Sequence, residues 1–207
     1  MNTTIDAQNI DKITKEFKKG DKLLSKLGPA VTIYGSARAK PSSKEYKDIE
    51  ILSEKLALSG FSIISGGGPG IMEASNKGAF NINNINSVGL GIELPFETKL
   101  NDYIDIGYTF KYFFVRKVMM VKYAKAFVVA GAAGIGTIEE FMETLTLIQT
   151  QKTDKAKVYL IGTEFWGGLI NWLKNTVLKN EYISQSDLDN IIITDDIDFI
   201  VNDIKKS

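Results

Sequence analysis

The chain has 207 residues, 44% of them hydrophobic, a length that suits one well-buried domain. Twenty-five Lys and Arg balance twenty-five Asp and Glu, so no overall field draws the molecule onto nucleic acid or an anionic membrane, and any phosphate must be held locally. The absence of cysteine and histidine excludes disulfides, thiolate nucleophiles, Ser-His-Asp hydrolysis and His-ligated zinc, and leaves carboxylates, Lys and Tyr to move protons.

The start, MNTTIDAQNIDK, lacks a basic segment followed by an apolar one, and no apolar run nears the roughly 20 residues of a membrane span. The expectation is a cytoplasmic protein with neither a membrane nor a nucleic acid as partner. From about Ile5 to Leu27, the apolar residues Ile10, Ile13, Phe17, Leu24 and Leu27 recur at helical spacing and predict one or two amphipathic helices. Residues 1–28 therefore read as an N-terminal helical segment, and 29–207 as one Rossmann-like nucleotide-binding domain.

After Gly28-Pro29, VTIYGSA predicts a strand ending in a Gly/Ser turn, and PSSKEYKDIEILSEKLALSG a helix opened by Ser42 and closed by Gly60. FSIIS, GGGPG and IMEASNKGAF repeat this β-α unit. SVGLGIELP is a further strand, YIDIGYTF suits an edge strand, and FFVRKVMMVKYA predicts a helix with Arg116 and Lys117 near its start. AFVVA with GAAGIG and TIEEFMETLTLIQT, KVYLIG with FWGGLINWLKNTVL, and IIITDD with IDFIVNDI continue the pattern to the end. This alternation predicts an α/β fold: a Rossmann-like open parallel sheet of about seven strands, helices on both faces, in a single domain.

In such sheets ligands bind beyond the carboxyl ends of the strands, so the loops that follow strands carry the candidate sites. Ser65 to Gly70 is glycine-rich and opens a helix, where backbone N–H groups favour an anion; it is also readable as a tight turn. Gly131 to Thr137 is a second such loop. Its glycine order is G-x-x-G-x-G, which is neither the dinucleotide fingerprint nor a P-loop. Thr137-Ile138-Glu139-Glu140 also fits a capping box, so Glu140 reads either as a cap or as a reactive carboxylate kept ionised by the helix dipole. Arg116-Lys117, near Lys111 and Lys122, reads either as a solvated helix face or, among Tyr112, Phe113 and Phe114, as a guanidinium meeting a planar or anionic ligand.

Taken in order, SGGGPGIMEASNKGA, GLGIELPFE, FKYFFVRKVMMVKYAKAFVV and GIGTIEEFMETLTLIQT resemble the LOG family, often labelled lysine decarboxylase-like, in its longer form with an N-terminal helical extension. The resemblance spans about Val31 to Ile161. It implies a cytokinin riboside 5′-monophosphate phosphoribohydrolase: a hydrolase of the N-glycosidic bond of nucleoside 5′-monophosphates, AMP among them, that releases free base and ribose 5-phosphate. The family's Arg-Lys pair falls on Arg116-Lys117, and its P-G-G-x-G-T-x-x-E motif on Ala132 to Glu140. By that match Arg116 and Glu140 are catalytic. Gly67, Gly68, Met72, Glu97, Lys117, Gly134, Gly136, Thr137 and Thr146 are implied as substrate contacts. No metal and no cofactor are implied, and a homodimer is expected. The sequence departs from the motif at Ala132 and Ala133, where the family has Pro and Gly.

Two alternatives stand beside this reading. A non-catalytic carrier, like the related molybdenum cofactor carrier proteins, would use the same loops without turnover. A dinucleotide-dependent oxidoreductase would use Glu164 as a ribose acid, but the preceding glycine order is wrong for it. Pyridoxal-dependent decarboxylation needs a Schiff-base lysine with a phosphate cup, and nothing marks one.

Overall fold

The strands are β1 (Ala30–Tyr34), β2 (Ser62–Ser65), β3 (Ser87–Ile92), β4 (Ile106–Phe110), β5 (Ala124–Ala130), β6 (Val158–Ile161) and β7 (Ile191–Ile193). The central ones, such as AVTIY and VYLI, are rich in Val and Ile and fully buried, as strands covered on both faces must be. In the computed structural model, which describes residues 7–95, 99–154 and 156–206, they form one parallel sheet in the order β4-β3-β2-β1-β5-β6-β7. The expected open parallel sheet of seven strands is therefore present, and YIDIGYTF supplies an edge strand. From β1 the chain runs outward to β4, then returns to place β5 on the other side of β1. The connections leaving β1 and β5 thus diverge, and a crevice opens between them at the carboxyl end of the sheet.

Helices α1 (Ala7–Leu24), α2 (Lys44–Leu58), α3 (Ile71–Ala79), α4 (Phe113–Lys122), α5 (Ile135–Gln149), α6 (Thr163–Trp172), α7 (Gln185–Leu188) and α8 (Ile197–Ile204) cover the sheet, and a π-helical stretch, Leu173–Leu178, extends α6. Leu24, Met119, Phe141, Trp166 and Leu188 form the core on one face. Leu52, Ala74 and Ile200 belong to the core on the other. Helix α2 begins one residue later than Ser42 suggests: Ser43, extended at φ −72° and ψ 156°, is the cap, and its hydroxyl accepts from the Tyr46 amide at 3.3 Å. Among the described residues no helix is long and apolar enough to cross a membrane.

Helices α2 and α3 meet closely at Gly78, where an added Cβ would lie 2.2 Å from the carbonyl oxygen of Glu50. Gly78→Ala, favourable by about 1 kcal/mol in an isolated helix, should here lower stability by roughly 1–3 kcal/mol through overpacking against backbone. Urea denaturation reads this directly, and an unchanged midpoint would mean the two helices part freely.

The N-terminal helix is a fixed part of the structure around α4. Glu16 accepts from the Lys111 amide at 2.8 Å and the Tyr112 amide at 3.3 Å, Phe17 packs on Phe114, and Gly20 lies under Met119 and Phe110. These amides precede the first turn of α4, where a carboxylate is electrostatically favoured.

Candidate active site

Arg116 is the fourth residue of α4 and is only 7% exposed. A buried guanidinium needs partners for its donors. Its Nε donates to the carbonyl of Leu90 at 2.7 Å, and Nη1 to Oε1 of Glu140 at 2.8 Å. Gly66 leaves room for the group, because a Cβ there would sit 2.5 Å from Nη2.

Glu140 belongs to α5, but the capping box does not form. Gly134, extended at φ −104° and ψ −172°, takes the cap position, so the helix starts at Ile135 and Thr137 is its third residue. Glu140 consequently falls in the second turn, beyond the strongest reach of the helix dipole, and its carboxylate turns to Arg116. Burial holds the Glu140 carboxyl above the ordinary glutamate range, against the charge and hydrogen bond of Arg116, which pull it down. The balance is a carboxylate more basic than a solvated one.

A cleft of about 680 Å³ opens at the carboxyl ends of the central strands, with Arg116 and Glu140 among its lining residues. Gly67, Gly68 and Met72 line it, as do Gly134, Gly136 and Thr137. An added Cβ at Gly134 or Gly136 would meet nothing within 4 Å, and neither residue has the left-handed backbone that calls for glycine. Local packing therefore gives no reason for these glycines. They leave the amides at the start of α5 open to the cleft with no side chain capping them, an arrangement that favours an anion.

Lys117 and Thr146 lie outside the lining of this cleft. Lys117 reaches Glu139 at 2.5 Å and Glu143 at 3.1 Å, clasping α4 to α5 beside the Arg116–Glu140 pair. Burial depresses its pKa, but the two carboxylates overcome this and hold it above the usual lysine range. The Thr146 hydroxyl is exposed and donates to the Met142 carbonyl at 2.9 Å. Glu97 lies outside the described residues.

Sequence reasoning missed the stretch from Gly35 to Arg38, along with Lys99 and Thr109, all of which line the cleft. The Gly35-Ser36 turn was legible as the end of a strand, and the strand order makes it part of a site. Ser36 donates its amide to the Ala132 carbonyl at 2.8 Å, joining the turns after β1 and β5.

A glycine-walled cleft at the switch point of a parallel sheet, with a buried Arg–Glu pair among its lining residues, defines a Rossmann-like protein with a site of nucleotide-binding type. The family described as "possible lysine decarboxylase" matches residues 72–204. The chain belongs to this family, which is of LOG type. Among solved structures, the molybdenum cofactor carrier protein from Chlamydomonas reinhardtii is similar at 17% identity, with 86% of this chain and 96% of that chain covered and a TM-score of 0.62. TM1055 is similar at 23% identity, 87% and 100% coverage and a TM-score of 0.62. DNA processing protein A from Helicobacter pylori is similar at 16% identity, 89% and 83% coverage and a TM-score of 0.55. Identities this low show a shared fold. No curated protein matches the chain.

Proposed function

We propose that the protein hydrolyses the N-glycosidic bond of nucleoside 5′-monophosphates, of the AMP or cytokinin riboside monophosphate type, to free base and ribose 5-phosphate. The observation that carries this reading is the Arg116–Glu140 pair, buried in a cleft whose wall includes the uncapped start of α5. The amides of α5 from Ile135 to Thr137 grip the 5′-phosphate. The sugar then lies against the pair, where a developing oxocarbenium ion needs negative charge. The C1′–N bond breaks with its electrons passing to the base. Water adds at C1′ and yields a proton to Glu140, which returns it to the departing base, while Arg116 donates a hydrogen bond and keeps its own proton. Arg116 also holds Glu140 in place.

The test is turnover of a panel of purine and pyrimidine monophosphates, with free base and ribose 5-phosphate read by chromatography. Phosphate binding at α5 requires that free nucleosides be poor substrates. Binding of AMP without release of adenine would reject the hydrolase. It would favour a second reading, a non-catalytic carrier, which draws on Ala132-Ala133 in place of Pro-Gly and on the fold shared with the molybdenum cofactor carrier.

Raised basicity of Glu140 sets the pH dependence. The reactive form is the carboxylate, so activity is present above its pKa and is lost as pH falls through it. Because burial raises that pKa, the acid limb of kcat/KM should lie above the value of about 4.3 expected of a solvated glutamate. A limb at or below that value would remove Glu140 from the proton transfer.

The homodimer is also proposed. Phe113, Phe114 and Val118 on α4 are exposed apolar side chains, as is Ile135 at the start of α5, which is 85% exposed; Phe113 and Ile135 also line the cleft. Light scattering should report twice the mass of one chain, and a monomer at every concentration would refute the assembly.

A further inference from the structure

We infer that Asn101 is a positioning residue that aims the Gly68 amide into the cleft, where it donates a hydrogen bond to an acceptor atom of the bound nucleotide. The inference rests on the proposed function for the identity of the ligand. Asn101 follows β3 in the chain and clasps the turn after β2. Its backbone amide donates to the Gly67 carbonyl at 2.8 Å, and its Nδ2 reaches the same oxygen at 3.2 Å and the Gly68 carbonyl at 3.0 Å. Its amide group is fixed in turn by Asn76, which is fully buried: Nδ2 of Asn101 donates to Oδ1 of Asn76 at 2.9 Å. Asn76 is held by the Ser65 hydroxyl at 2.6 Å, by Ser87 at 2.9 Å and by the Val88 carbonyl at 3.1 Å. A satisfied buried network of this kind permits one arrangement of the turn.

The orientation follows from peptide geometry. In a trans peptide the carbonyl and the N–H point in opposite directions, and among the described residues no peptide is cis. With the Gly67 carbonyl turned onto Asn101, the Gly68 N–H points away from Asn101, and Gly68 lines the cleft while Asn101 does not. The Gly67 amide is already given to the Ser65 hydroxyl at 3.0 Å, and Pro69 has no N–H. Gly68 thus presents a donor to the cleft, and among the described residues nothing accepts from it. Gly66, two residues away, is packed against the Arg116 guanidinium, so the donated bond falls beside the Arg116–Glu140 pair. Its acceptor is a ring nitrogen or carbonyl oxygen of the base, or a ribose oxygen.

The test combines amide NMR with kinetics on the full chain. In wild-type protein labelled with ¹⁵N-glycine, AMP should move the Gly68 amide resonance. The same shift with ribose 5-phosphate alone assigns the acceptor to the sugar, and a shift with AMP only assigns it to the base. Asn101→Ala removes the clasp, and Asn101→Asp, equal in size, turns an acceptor toward three acceptors. Each should raise KM for AMP roughly fivefold to tenfold, the scale of one hydrogen bond, leave kcat within about twofold as expected for uniform binding, and abolish the Gly68 response. Wild-type protein that turns over AMP with its Gly68 amide unmoved would overturn the inference and leave the hydrolase standing. Loss of kcat with KM and the Gly68 response intact would likewise overturn it, marking Asn101 as merely structural. If AMP moves no glycine amide at all and is not cleaved, the proposed function falls and this inference with it.

Discussion

Glu140→Gln should lower the rate of base release from AMP at least about a hundredfold, the scale of a positioned acid–base group. The amide nearly matches the carboxylate in size, and its carbonyl still accepts from Arg116 at the place where Oε1 now does, 2.8 Å from Nη1. What it lacks is the charge that stabilises an oxocarbenium ion and the basicity that takes a proton from water. Arg116→Ala should cost as much, since it removes the donor toward the leaving base and leaves the buried Glu140 unpaired. The measurement is single-turnover adenine release at saturating AMP, which separates chemistry from binding. Two variants that both retain activity within about tenfold of wild type would sink the assignment.

The second large effect is expected from a methyl group. An alanine Cβ at position 66 would lie 2.5 Å from Nη2 of Arg116 and 2.5 Å from Sδ of Met72, closer than real contacts allow. Both obstacles are far ends of flexible side chains, and Gly66 has no left-handed backbone that alanine would strain. Gly66→Ala should therefore fold and melt close to wild type while the guanidinium is driven off its position. A displacement of about 1 Å at a reacting centre costs on the order of a hundredfold, so kcat should fall by about that factor. Affinity for AMP, anchored at the start of α5, should change by less than about threefold, well short of the effect on kcat. Wild-type kcat in a correctly folded Gly66→Ala protein would show that Arg116 has no fixed role in the chemistry.

The fold was readable because its signals are local. Runs such as FSIIS and AFVVA suit strands buried on both faces, and each is followed by glycine and a helix, so seven parallel strands could be counted without any contact map. That Arg116 and Glu140 belong together, as the proposed catalytic pair, was visible only through resemblance. Local pattern offered a capping box at Thr137–Glu140, and the backbone decided against it by placing the cap at Gly134. Lys117, adjacent to Arg116, looked equally suited to a ligand, yet one step along a helix turns a side chain by about 100°, which delivers it to Glu139 and Glu143 instead. Gly35 to Arg38 and Asn101 were hidden for a different reason. Their roles depend on which strands are neighbours and on how a distant turn is pinned, and no window of contiguous residues contains that information.

Glu16 ties the N-terminal helix to the amides of Lys111 and Tyr112, one step before the helix that bears Arg116. A relative of this fold without such a helix must find another acceptor for those two amides or leave them to water. The leading segment is therefore a brace for the helix on which the proposed chemistry depends, set apart from every residue of the cleft.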